Sequence, residues 1–214
     1  IRRQRQMCIR DRITTRGFAD ALLIGYQTRP NIFDLDIQLP KPLYSTVIEA
    51  DELVDANGNI LTKLDQDSIR LSMQQLQAQG IQSIAVCFMH AYRFKDHERQ
   101  VAQIATDLGF EQISISHEVS SLMKLVSRCD TTVADAYLSP ILQQYVQQFQ
   151  QELGKAHVEC DQILFMQSNG GLVQAKRFRG KDSVLSGPAG GVVGMVAGGQ
   201  RAGMQQLIGF DMGG

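Results

Sequence analysis

The chain has 214 residues, 43% of them hydrophobic and 20% charged, a balance that excludes a disordered tail and supplies enough apolar surface for a core. Its 21 basic and 22 acidic residues leave a formal charge of −1, which argues against a general nucleic-acid binder or a strongly anionic-membrane binder. No apolar run reaches the roughly 18–20 residues of a membrane span and no signal-peptide core is visible, so a cytoplasmic protein of one large or two small domains is expected.

Residues 1–12 (IRRQRQMCIRDR) carry five arginines against Asp11 and show no hydrophobic period. They read either as a basic, phosphate-binding arm or as a translation scar such as adapter read-through, and they are set aside from the fold. From Ile13 the chain offers a short β-branched stretch, a turn at Gly17 and a helix from Phe18 to about Gln27. Pro30, Pro40 and Pro42 then make NIFDLDIQLPKPLY an extended connector. STVIEADELV and ILTKL predict a hairpin around Asn57-Gly58.

Asp65 or Asp67 can cap a helix in which Ile69, Met73 and Leu76 share a face and which Gly80 can stop. SIAVCFM reads as a buried strand, with Cys87 acting as a small hydrophobe. The other cysteines, Cys8, Cys129 and Cys160, show no CxxC spacing, so reduced thiols are expected. A second helix from about Lys95 to Leu108 places Val101, Ile104, Ala105 and Leu108 together before Gly109, and QISIS supplies the next strand. Helix, apolar strand, helix, strand with short joints is the pattern of an α/β fold whose parallel strands are joined by helical crossovers.

Asp130 or Thr131 can cap a longer helix with Ala134, Leu138, Ile141, Tyr145 and Phe149 as its apolar stripe and with a kink or break near Ser139, just before Pro140. ILFMQ is the strand that follows. Glycine is then concentrated: 13 of the 19 glycines fall in residues 170–214. They cluster in MQSNGG (166–171), LSGPAGG (185–191) and IGFDMGG (208–214), each after an apolar, strand-like run. Glycine in such turns lets backbone amides approach a phosphate, and a helix starting there adds its positive end.

Ser186 as cap and Pro188 in the first turn predict a helix to about Gln200, along which Gly190, Gly194 and Gly198 recur as a bare face for close packing. Asp211 could hold a divalent ion, with the Gly213 and Gly214 amides toward phosphate oxygens, although an isolated DxGG turn is commonly structural. His90, His97 and His117, with Glu98 and Glu118 beside two of them, match no recognised zinc spacing.

Taken in order, TTRGFADALLIGYQTRP, SIAVCFMHAYRFKDHE, TTVADAYLSPILQQYV, LFMQSNGGL, VLSGPAGGVVG and IGFDMGG resemble the hydantoinase A/5-oxoprolinase family over about residues 13–214. The resemblance implies mixed sheets with helical crossovers, part of a two-lobed fold related to actin, sugar kinases and chaperone ATPases. It implies ATP and Mg2+ as cofactors and an activity that opens a cyclic amide, 5-oxoproline or a hydantoin, by phosphorylating the amide oxygen.

Asp211, Met212, Gly213 and Gly214 match the start of a family phosphate hairpin, with Asp211 as the metal-binding position. Ser186, Gly187, Pro188, Ala189, Gly190 and Gly191 match the SGPAGG loop, and Ser168, Asn169, Gly170 and Gly171 the SNGG turn. The resemblance assigns no catalytic residue. It divides the chain into a non-native segment 1–12, the C-terminal part of the family's N-terminal region at 13–127, and the start of the hydantoinase A domain at 128–214. The family's first DxGGTxTD-type hairpin is absent, so an internal piece that does not hydrolyse ATP by itself is expected. The implied partners are a small cyclic amide, a hydantoinase B-type subunit or fused domain, and further copies in an oligomer. Two alternatives stay open: an acetone- or acetophenone-carboxylase-type subunit, and a non-catalytic assembly module.

Overall fold

A computed structural model describes residues 10–26, 31–33, 35–37, 39–156 and 162–210. The chain divides into two compact units, Ile1–Tyr137 and Leu138–Gly214.

The first unit is built on a four-stranded parallel sheet in the order β2-β1-β5-β6, with β1 at Arg10–Thr15, β2 at Thr46–Ala50, β5 at Ser83–Cys87 and β6 at Gln112–Ile115. Between β1 and β2 stands α1 (Ala21–Ile24), a single turn where the sequence predicts a helix to about Gln27, a residue outside those described. The Asn57-Gly58 hairpin forms, with β3 (Leu53–Val54) antiparallel to β4 (Ile60–Thr62), but the expected long strand before it breaks at Asp51-Glu52. Its first half leaves the hairpin and joins the main sheet as β2.

Helix α2 (Gln66–Ala78) starts as expected, its Asp65 cap accepting the Ser68 N–H at 3.1 Å. Ile69, Met73 and Leu76 are its buried positions. Helix α3 (Asp96–Leu108) buries Val101, Ile104 and Ala105 and ends on Gly109 at φ +85°. These residues close over Ile13, Ile84 and Val86 on one face of the sheet. Each large aliphatic side chain removed from water there contributes about 1.5–3 kcal/mol. Every residue of β5 is buried, the pattern of a central parallel strand.

Residues 10–12, set aside by the sequence reading, correct it: Arg10, Asp11 and Arg12 open β1, flanked by β2 and β5. Asp11 and Arg12 are fully buried. Arg12 reaches Cys129 Sγ at 3.6 Å and the Ala19 carbonyl, and its guanidinium stands 5.1 Å from the Tyr44 ring centre, but among the described residues its Nε has no partner. Asp11 accepts the Thr46 N–H at 2.7 Å through Oδ1, while Oδ2 has no partner among the described residues.

Burial holds the Asp11 carboxyl above its ordinary value, against the opposing pull of the Thr46 amide. Its ionised form is therefore destabilising. The stability this group contributes is complete below its unfolded value and is lost as pH rises through the higher folded one. Asp11→Asn should raise stability by about 1–2 kcal/mol at pH 7 and by much less at pH 4, read from denaturant midpoints at the two pH values.

After α4 (Ser116–Val119), helix α5 runs from Leu125 to Lys155. It begins before the expected caps Asp130 and Thr131 and continues through Pro140 without a break. Its buried face also departs from the expected stripe: Ile141, Tyr145 and Phe149 are exposed, while Cys129, Thr132, Val133, Asp135, Ala136, Ser139 and Val146 are buried. Within the first unit Val133 and Ala136 pack on Ala85, and Ser83 Oγ donates to the Ala136 carbonyl at 2.7 Å.

The second unit adds the hairpin β7 (Leu164–Met166) and β8 (Leu172–Gln174), a 3-10 turn at Ala175–Arg177, α6 (Gly180–Ser183) and α7 (Ser186–Arg201). Phe165 stacks on Phe178 at 5.1 Å between centroids and meets Tyr145 and Phe149 edge-on. Among the described residues no helix is long and apolar enough to cross a membrane.

Candidate functional site

Two of the three glycine phrases come together in the second unit. SNGG is the turn of the β7–β8 hairpin. Gln167 N–H donates to the Gly171 carbonyl at 2.8 Å, Gly170 N–H to the Gln167 carbonyl at 2.9 Å, and Gly171 N–H to Asn169 Oδ1 at 2.8 Å. Gly170 has φ +82°, a backbone state that disfavours any residue with a Cβ.

Ser168 ties this turn to the approach of α7. Its N–H and Oγ donate to the Asp182 carbonyl at 2.7 and 2.8 Å, and its Oγ accepts the Leu185 N–H at 3.0 Å. A Cβ on Gly170 would stand 3.2 Å from Val193 on α7, and one on Gly190 would stand 3.7 Å from Met166. The hydroxyl and amide side chains of Ser168 and Asn169 thus shape the turn, in which the N–H groups of Gln167, Ser168, Gly170 and Gly171 all donate to acceptors of the chain itself.

SGPAGG forms the first turn of α7. Leu185, not Ser186, takes the cap position, and no side chain caps the helix. Ser186 instead donates its hydroxyl to the Ser183 carbonyl at 2.9 Å. The expectation of a strand before this phrase is corrected too, since α6 and a short turn precede it.

First-turn amides of a helix have no intrahelical acceptor, and together with the helix dipole they favour an anion. Pro188 has no amide to offer, the Leu185 N–H is taken by Ser168 Oγ and the Ala189 N–H by the Leu185 carbonyl, so the available donors are those of Ser186 and Gly187. Among the described residues nothing lies within 4 Å of a Cβ built on Gly187, which leaves room for a ligand there. This uncapped, open end fits a phosphate group.

The bare-face expectation changes in detail. A Cβ on Gly194 or Gly198 would meet nothing within 4 Å, whereas one on Gly199 would stand 2.1 Å from Leu207 Cδ1. The close approach thus falls one residue beyond the i, i+4 series. The third phrase contributes exposed Ile208 and Phe210 in coil, and Asp211, Met212, Gly213 and Gly214 lie outside the described residues.

The three histidines of the first unit do not converge. His97 Nδ1 meets Glu52 Oε2 at 2.8 Å, and His117 Nδ1 meets Glu98 Oε2 at 2.6 Å. Among the described residues no group of three or more His, Cys, Asp or Glu could hold a metal ion. Sequence reading did not find these buried pairs, whose members lie far apart along the chain. Also in the first unit, a cleft of about 670 Å³ is lined by Leu22, Tyr26, Leu39, Pro42, Tyr44 and Val133. Lys41 and Asp130 also line it, so the cleft is mixed in character.

The mixed α/β fold is shared with two solved structures. The chain superposes on the ATP-dependent caprolactamase from Pseudomonas jessenii with a TM-score of 0.79 at 24% identity, covering 92% of this chain and 29% of that one. Nucleotide-free acetone carboxylase gives a TM-score of 0.76 at 21% identity, with 92% and 29% covered.

Residues 12–109 match the hydantoinase/oxoprolinase N-terminal region and residues 128–214 match the hydantoinase/oxoprolinase domain, so the chain belongs to the hydantoinase/oxoprolinase family. It is 44% identical over 230 residues to the 5-oxoprolinase of Saccharomyces cerevisiae, an alignment that takes in 94% of this chain and 18% of that protein. The chain therefore spans about a fifth of the length of that relative.

Proposed function

We propose that the protein carrying this chain is an ATP-dependent hydrolase of cyclic amides, with 5-oxoproline as the first substrate to test. The observation that carries this reading is the joining of SNGG to the uncapped start of α7 through Ser168. Together with the 44% identity to a 5-oxoprolinase, it supports a seat for ATP phosphates at Ser186 to Gly191 with Ser168 to Gly171 beside it. Bound ATP would supply the phosphoryl group that, placed on the amide oxygen, makes the carbonyl carbon susceptible to water so that the ring C–N bond can break. The chain's own part is to hold phosphate oxygens on backbone amides and to exclude side chains from their approach.

The same reading assigns phosphate binding to Asp211 to Gly214 and Mg2+ binding to Asp211, residues outside those described. A hydantoinase B-type partner, fused or separate, an oligomeric assembly and a cytoplasmic location belong to the same reading. The likeness to acetone carboxylase favours one second reading, a carboxylase-type subunit. ATP consumption by the full-length protein separates the two: 5-oxoproline should stimulate it and yield glutamate. Bicarbonate-dependent consumption with acetone or acetophenone, and none with 5-oxoproline, contradicts the hydrolase reading.

Gly187→Val fills the open space before the proposed seat. It should weaken ATP binding about tenfold or more, measured by calorimetry, while the far-ultraviolet circular dichroism stays unchanged.

A further inference from the structure

The chain passes from β1 to β2 on one side of the sheet and returns to β5 on the other, so the direction of winding reverses between β1 and β5. In open parallel sheets, small molecules bind outside the carboxyl ends of the strands at such a reversal. Here that place is occupied by the backbone that leaves β5, Phe88 to Tyr92, and every polar backbone group of Phe88 and Met89 is held by a buried side chain. Glu98 Oε1 accepts the Phe88 N–H at 3.0 Å, and Thr15 Oγ1 accepts the Met89 N–H at 3.0 Å. Arg128 Nη2 donates to the Phe88 and Met89 carbonyls at 2.5 and 2.8 Å.

These holders are themselves locked. Glu98 also accepts from Ser116 Oγ at 2.5 Å and from His117 Nδ1 at 2.6 Å, while Thr15 donates to Glu52, which is paired with His97. Glu98 and Arg128 are fully buried and Glu52 is nearly so. Buried charges are costly to keep, and three of them are spent on two residues of backbone. Such over-determination is how a binding group is held in place.

The residue presented next is His90. Its imidazole is half-buried, lies 6.2 Å from the Tyr92 ring, and takes no hydrogen bond among the described residues. Through Nη1, Arg128 also binds the Leu122 and Met123 carbonyls at 2.9 and 3.0 Å, which brings two exposed apolar residues beside the same segment. An imidazole with an open hydrogen-bonding edge beside the Tyr92 ring can meet one amide of a small ring.

We propose that His90 is the hydrogen-bonding residue of a small-molecule site for a cyclic amide at the carboxyl ends of β1 and β5, with Glu98, Arg128 and Thr15 as its positioning residues. The assignment of ligand class rests on the proposed function. The test is a titration of the whole chain, labelled with 13C in its histidine rings, with 5-oxoproline and, separately, with its open-chain counterpart glutamate.

The His90 signal should move saturably with 5-oxoproline and much less with glutamate, with no response in His90→Phe, which keeps an aromatic ring beside Tyr92. Glu98→Gln should weaken the response about tenfold with the circular dichroism retained. A His90 signal that stays still, or that moves equally with glutamate, overturns the inference. Adding MgATP in a parallel titration keeps the two readings apart. Gly187 responding to ATP while His90 ignores 5-oxoproline sinks only this inference, and the reverse result upholds it and sinks the proposed phosphate seat.

Discussion

Arg128→Met should destabilise the first unit by at least about 3 kcal/mol, enough to lower its thermal midpoint by roughly 10 °C. Methionine can fill much of the volume, so the loss isolates the polar contacts. The guanidinium joins the Ser116 hydroxyl at 2.9 Å to the carbonyls of Phe88, Met89, Leu122 and Met123, and it faces the Tyr92 ring at 5.6 Å. Removing it takes a charged donor from four carbonyls, of which that of Phe88 keeps only the Ala91 N–H at 3.4 Å, and leaves the buried Glu98 carboxylate with less compensating positive charge. Arg128→Lys should recover only part of the loss, since an ammonium cannot span both pairs of carbonyls as the planar fork does. Equal stability of Arg128→Met and the parent in urea would show that the network carries no net stabilisation.

The second large effect is expected at Gly180. A Cβ there would stand 2.5 Å from the Ser139 nitrogen and 2.6 Å from Leu138 Cβ, contacts against backbone and near-backbone atoms that cannot swing aside. Gly180 N–H also donates to Ser139 Oγ at 3.0 Å, which pins the start of α6 to α5. Gly180→Ala should therefore cost about 2–3 kcal/mol. On α7 the opposite sign is expected. Gly194→Ala and Gly198→Ala meet open space in a helix interior and should each stabilise by about 0.5–1 kcal/mol. Denaturant midpoints of the three variants give the comparison. A neutral Gly180→Ala, or destabilisation at Gly194 and Gly198, would place the tight helix contact where the glycine spacing first suggested it.

What could be read in the sequence was what one element decides by itself. The period of Ile69, Met73 and Leu76, the Asp65 cap, the apolar run of β5 and the Asn57-Gly58 turn are local, and each appears where expected. The misplacements arose where a partner far along the chain decides. Asp11 and Arg12 look unlike a central strand, yet β2 and β5 pair with them on both sides. The buried face of α5 contains Thr132, Asp135 and Ser139, so hydrophobic periodicity could not find it. Asp135 answers Ser114 at 2.8 Å and Ser139 answers Gly180, relations that no spacing announces.

The candidate site shows the same division. The glycine phrases pointed to amide-lined turns, but the hydroxyl of Ser168, not a glycine, links one turn to the other. His97, Glu98 and His117 drew notice as isolated metal candidates, and only the fold turns them into two carboxylate–imidazole pairs around the end of β5.

The proposed phosphate seat at these turns is open to direct measurement through amide chemical shifts of the 15N-labelled chain recorded with and without MgATP. Saturable shifts are expected at Gly170, Gly171, Ser186 and Gly187, abolished by Gly187→Val. No response at these amides, with ATP-dependent shifts confined to the first unit, would contradict it.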